Sequence, residues 1–182
     1  MNISNLRPGQ TFPLIILPLL GGGEADISKP TGKHDWKLVL VYRGKHCPLC
    51  TNYLRELESH REAFSDIGID VIAVSADSEA RATVQLSEID ASYPVAYGLS
   101  QAQMKALNLY ISGIQNGIDV EGPFAEPGLF IINHEGKLQL VDTSNVPFSR
   151  PDLGNIAGGM KWLRSQTPAF PINGTHTEFQ AT

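Results

Sequence analysis

An α/β architecture, with a central mixed β-sheet flanked by helices and an N-terminal edge extension, is what these 182 residues predict. Three patterns carry that expectation. Lys37–Tyr42 and Ile69–Ala76 are nearly unbroken apolar, β-branched runs, as expected of central strands covered on both faces. Between them lies one stretch of helical periodicity, which makes strand, helix and strand a parallel βαβ unit. Later, Gly128–Asn133 and Lys137–Asp142 flank His134-Glu135-Gly136, the pattern of an antiparallel hairpin closed by a glycine turn. The implied order is βαβ followed by ββα.

The elements follow in chain order. Leu14–Leu17, after Thr11-Phe12-Pro13 and before Gly21-Gly22-Gly23, reads as an edge strand. The helix after Cys50 places Leu54, Leu57, Arg61 and Phe64 at helical spacing and stops near Gly68. Ser78–Ala91 reads as a second helix with Ser78 as its cap, Pro94–Tyr97 as a short strand, and Ser100–Leu107 as a third helix. Asn108–Glu126, marked by Gly113, Gly117, Gly122 and Pro123, is expected to be irregular, with Tyr110, Ile111, Ile114 and Ile118 as a buried loop, a partner surface or a dimer contact. A last helix is expected from Arg150 or Pro151 to Ser165, with Pro151 in its first turn and Leu153, Ile156, Met160 and Leu163 or Trp162 facing inward. The whole chain, 1–182, is expected to be a single domain with its core in about 6–166, because this length suits one hydrophobic core.

Composition narrows the function. A net charge of −5 provides no basic stripe to neutralise phosphates, which argues against nucleic acid and anionic membrane surfaces as partners. No apolar run reaches the roughly 18 residues of a membrane span, so a soluble protein is expected. Two cysteines, three positions apart, do not make the bridged framework of a small secreted domain. The short apolar run Leu14–Leu20, broken by Pro18, reads as a strand rather than a signal segment. A reducing, cytoplasmic setting is the expectation.

Chemistry concentrates in Arg43-Gly44-Lys45-His46-Cys47-Pro48-Leu49-Cys50, where the first central strand turns into the first helix. A C-x-x-C pair at such a junction is a redox motif, because the positive potential of a helix N-terminus stabilises a thiolate. Arg43, Lys45 and His46 add to that bias on charge alone. A second sulfur three positions on can close a disulfide with the first, which protects a sulfenic acid from further oxidation. A zinc half-site is disfavoured, since there is no second C-x-x-C and the remaining histidines are scattered. An inert staple is disfavoured too, because so short a loop removes little unfolded-chain entropy.

Leu40 to Cys50, with Ala73-Val74-Ser75, Pro127-Gly128-Leu129-Phe130-Ile131-Ile132-Asn133 and the opening Pro8-Gly9-Gln10-Thr11-Phe12-Pro13, resembles the peroxiredoxin-like members of the alkyl hydroperoxide reductase and thiol-specific antioxidant family. The resemblance runs from about Leu6 to Leu163 and implies a thioredoxin-like fold. It also implies a thiol-dependent oxidoreductase that needs no bound cofactor and no metal, and that reduces peroxides by cycling Cys47 and Cys50 between dithiol and disulfide. A thioredoxin- or glutaredoxin-type protein would supply electrons, and a homodimer is compatible with the family.

Two departures qualify that reading. In the family's Thr-x-x-Cys motif the peroxide-attacking cysteine falls on Cys50, and Cys47 replaces the threonine. The peroxide-activating arginine falls on Pro127, where thioredoxins carry a cis-proline, so a cis Glu126–Pro127 bond is the corresponding expectation. Arg43 and Arg150 are the candidates to replace the lost arginine. In thioredoxin-like exchange Cys47 attacks and Cys50 resolves; in the peroxiredoxin register the roles reverse. His46, at the position of a common thioredoxin tryptophan, either donates to the thiolate or is a solvated loop histidine. Tyr42 and Pro48 complete the expected environment of the two sulfurs. A protein disulfide reductase without peroxidase activity and a non-catalytic redox-sensing module are the rival functions.

Overall fold

The computed structural model describes residues 6–114 and 117–176. Gln115 and Asn116, inside the segment expected to be irregular, lie outside the described residues, as do both ends of the predicted single domain.

Five strands form the central sheet in the order β5-β4-β3-β8-β9. β3 (Trp36–Val41), β4 (Ile69–Val74) and β5 (Val95–Ala96) run parallel, while β8 (Gly128–Ile132) is antiparallel to β3 and β9 (Leu138–Thr143) antiparallel to β8. The expected mixed sheet is therefore present. β3 is buried along its whole length and splits its side chains between two cores, as the period of two requires. Leu38, Leu40 and Tyr42 face α1 (Pro48–Asp66) and α4 (Leu153–Arg164), joining Leu54, Leu57, Phe64, Leu153 and Met160. Val39 and Val41 face the other way, onto Phe12, Ile15, Leu17, Met104 and Leu107.

Several boundaries differ from expectation, each for a local reason. The edge strand is β1 (Ile16–Pro18), paired through the three-glycine turn with β2 (Glu24–Asp26), a partner too short and polar to show in the pattern. α2 spans only Glu79–Ser87, and Ser78 stands at its N-cap without a side-chain bond, its Oγ buried and unpartnered. α3 (Gln101–Ala106) carries a full capping box between Ser100 and Gln103. The expected irregular segment contains β6 (Ile111–Ser112) and β7 (Phe124–Ala125), an antiparallel pair of two-residue strands. α4 begins after Asp152, whose carboxylate accepts the Asn155 N–H at 2.7 Å, so Pro151 precedes the helix instead of occupying its first turn.

Candidate active site

Parallel strands gather their following loops at one pole of the sheet, and antiparallel β8 and β9 bring opposite ends to the same pole. Val41 pairs with Gly128, and Gly128 with Thr143. The loop after β3, the loop after β4, Pro127 and the turn before α4 therefore meet there.

Cys47 is the N-cap of α1 and Cys50 lies in its first turn, with Pro48 at the start, where its missing N–H costs nothing. Both cysteines are free and nearly enclosed, at 2% and 0% exposure, so exposure does not choose between them. Protonation does. Cys47 Sγ accepts the Cys50 N–H at 3.3 Å and is pulled from 9.0 down to about 6. The cause is first the hydrogen bond from the Cys50 side chain, opposed by burial, then the Cys50 N–H, the charge of Arg150 and the approach of the Arg43 side chain as a donor. Cys50 moves the other way: burial and the adjacent Cys47 sulfur push it up, although Arg150 Nη2 donates to Cys50 Sγ at 2.9 Å. The two sulfurs titrate as a coupled pair in which Cys47 is the more acidic partner.

Around the sulfurs the remaining expected residues take definite places. Tyr42 is buried against the α1 core, and burial raises its phenol. Arg43 lies over the Phe124 ring, Cζ to centroid 4.9 Å, with Nε 3.2 Å from Glu126 Oε2 at an angle that makes no hydrogen bond. His46 fits neither of its expected roles. Its ring packs on Phe124 at 4.5 Å with both nitrogens buried and unpartnered, and burial followed by the charges of Arg43 and Arg81 lowers it to about 4. It is therefore neutral near pH 7 and adds no positive charge to the dithiol. The Glu126–Pro127 peptide is trans, against the expected cis bond. The trans chain runs on from β7 into β8, with Glu126 N–H bonded to Tyr110 O and Pro127 O accepting from Ser144 N–H.

Two further residues, Asp77 and Gln85, hold the dithiol loop without having shown in the motif, and Glu126 stands beside Arg43. Asp77 accepts the Lys45 N–H at 2.7 Å and lies 3.4 Å from Arg81. Gln85 donates to Gly44 O at 3.3 Å and to Thr51 Oγ1 at 3.2 Å, joining α2 to the loop and to α1. Glu126 accepts the Ser112 hydroxyl at 2.6 Å. A usable signal existed for Asp77: it follows β4 at the carboxyl end of a parallel sheet, where α/β folds build sites.

Beside Arg150, a crevice of about 10 Å³ between Leu40, Tyr53, Pro127 and Asp142 has room for about one water. A cavity of about 360 Å³ lies at the opposite pole, between Trp36, His134 and Phe170, away from both sulfurs. Among the described residues there is no cluster of potential metal ligands, and no helix is long and apolar enough to cross a membrane.

Known proteins place this arrangement. No curated protein matches the chain. Solved structures share its fold at low identity. A mutant of the Peroxiredoxin 6 of Arenicola marina matches with a TM-score of 0.73 at 19% identity, over 93% of this chain and 80% of that one. Peroxidoxin BcpB from Mycobacterium tuberculosis gives 0.68 at 17%, over 87% and 97%. A protein described as a thiol:disulfide interchange protein DsbE from Chlorobium tepidum gives 0.64 at 19%, over 86% and 99%. The AhpC/TSA family model matches residues 8–141, most of the chain. With its dithiol on the first turn of α1, this chain belongs to the AhpC/TSA family and, by that membership, to the thiol-dependent oxidoreductases.

Proposed function

We propose that the protein is a dithiol–disulfide oxidoreductase in which Cys47 is the attacking thiolate and Cys50 the resolving thiol. The observation that carries this reading is the Cys47 sulfur at the N-cap of α1, bonded by the Cys50 N–H and lowered to about 6. A thiol of that pKa is largely ionised at neutral pH, and the thiolate is the nucleophile in exchange. Cys50, fully buried and pushed up, is held as the protonated partner. The substrate class that fits is a disulfide: the hydroxyl that would assist peroxide attack by Cys50 is replaced by Cys47, and the arginine by Pro127. The reoxidised pair would be recharged by a thioredoxin- or glutaredoxin-type donor in the cytoplasm.

Peroxide reduction is the second reading, and one contact favours it. Arg150 lies 2.9 Å from Cys50, the sulfur that the family's peroxidase register uses.

The two readings separate in single-cysteine variants. Reduced wild type is expected to reduce insulin disulfides, Cys47→Ser to be silent towards both insulin and hydrogen peroxide, and Cys50→Ser to accumulate a mixed disulfide. Peroxide consumption by Cys47→Ser, with sulfenic acid trapped on Cys50, would establish the peroxidase reading instead.

A further inference from the structure

The turn before α4 holds one guanidinium against the buried sulfur. Arg150 Nε donates to Pro147 O at 2.8 Å, its Cζ lies 5.0 Å over the Tyr53 ring, and Nη2 reaches Cys50 Sγ at 2.9 Å. Tyr53 donates to Pro151 O at 2.6 Å and so ties the next residue of the turn to α1. None of these partners is a carboxylate. Among the described residues Arg150 forms no ion pair, and its buried Nη1 has no acceptor. No carboxylate pairs with this positive charge among the described residues, and apart from the Cys47 thiolate the nearest group able to become negative in its low-dielectric surroundings is Cys50 Sγ.

In the reduced dithiol the Cys47 thiolate opposes this effect by holding the Cys50 proton. Once Cys47 is bonded to a substrate sulfur its charge is gone, and Arg150 faces Cys50 without that competition. We propose that Arg150 is the catalytic residue of the resolving step, holding Cys50 Sγ and stabilising its thiolate as it attacks the Cys47 sulfur of the mixed disulfide. The inference rests on Cys47 being the attacking residue. In the step, the bond between Cys47 and the substrate sulfur breaks and the Cys47–Cys50 bond forms. The substrate sulfur leaves with the electron pair and takes up the proton that Cys50 gives away. The protein dithiol is oxidised by two electrons and the substrate disulfide reduced by two.

A neutral dipyridyl disulfide at one equivalent per dithiol reads both steps, because attack and resolution each release one thiopyridone. In stopped flow at pH 8, well above the value of about 6 for Cys47, so that losing the charge of Arg150 changes the first release little, Arg150→Met is expected to slow the second release roughly 3- to 30-fold relative to the first. That range follows from losing an opposite charge that shifts a pKa by about 1–3 units, partly offset by the greater nucleophilicity of a more basic thiolate. Arg150→Lys keeps the charge and is expected to recover part of the loss. An unchanged ratio of the two rates, or Arg150→Lys as slow as Arg150→Met, would overturn the assignment, because the residue would then serve shape and not charge. The ratio is internal to each variant, so a general loss of folding does not imitate it. The premise fails separately: a rapid first release by Cys47→Ser would show that Cys50 attacks, whatever Arg150 does.

Discussion

Cys47 and Cys50 sit on the same helical turn yet differ in acidity, because each sulfur's neighbours favour a different charge. The largest cause lowering Cys47 is the hydrogen bond from Cys50 itself, so the asymmetry belongs to the pair. The alkylation rate of Cys47 by iodoacetamide is expected to rise through an inflection near pH 6 and then level off, since a lowered thiol is anionic above that value. In Cys50→Ala the inflection moves back up, towards the ordinary thiol. Mass spectrometry of the alkylated peptide checks both; an inflection that stays put in Cys50→Ala would show that the helix terminus and the arginines act alone. His46, already neutral near pH 7, contributes no inflection between the two. The dithiol and Arg43 were legible from the motif, whereas the neutrality of His46 was not. Its charge depends on Phe124, Arg43 and Arg81, which reach it from other elements.

The dithiol loop keeps its path through the contact of Gly44 with Asp77. Gly44 has φ +125°, and a Cβ there would lie 2.6 Å from Asp77 Oδ1. Gly44→Ala therefore combines a disfavoured backbone with a clash and is expected to cost about 2–4 kcal/mol, read by urea denaturation. Asp77→Ala removes the Lys45 N–H acceptor and also the clash. The double variant is thus expected to be more stable than the sum of the single losses allows; strict additivity would show that Asp77 does not set the conformation of Gly44. At this scale the long elements were readable, α1 from its apolar spacing and the β8–β9 hairpin from its turn. The β6–β7 pair was not, since strands of two residues carry no period and are specified by the partner they meet.

On the face of the sheet that carries Val39, Val41, Ile72 and Val74 lies a buried ion pair that no local pattern announces. Lys37 Nζ lies 2.7 Å from Asp70 Oδ2, and the same oxygen accepts both the backbone N–H and the hydroxyl of Thr31 at 2.9 Å. Burial lowers Lys37, with Asp70 opposing the shift. Asp70→Leu alone leaves a buried ammonium without its partner and is expected to cost about 3–5 kcal/mol. Adding Lys37→Met is expected to return much of that loss in thermal or urea unfolding. A double variant as unstable as the single would show that Asp70 matters through Thr31 instead of through Lys37.

Hydrophobic period and turn residues acted locally, and through them the chain alone specified a mixed sheet, a helix launched from a dithiol and a closing hairpin. The register that sets Lys37 beside Asp70, the trans Pro127 and the placement of Arg150 on Cys50 depend on residues distant in sequence. The two sulfurs were therefore visible as a pair from their spacing, while the charge that each carries came from packing, because burial and opposed charges act through space and leave no periodic trace in the chain.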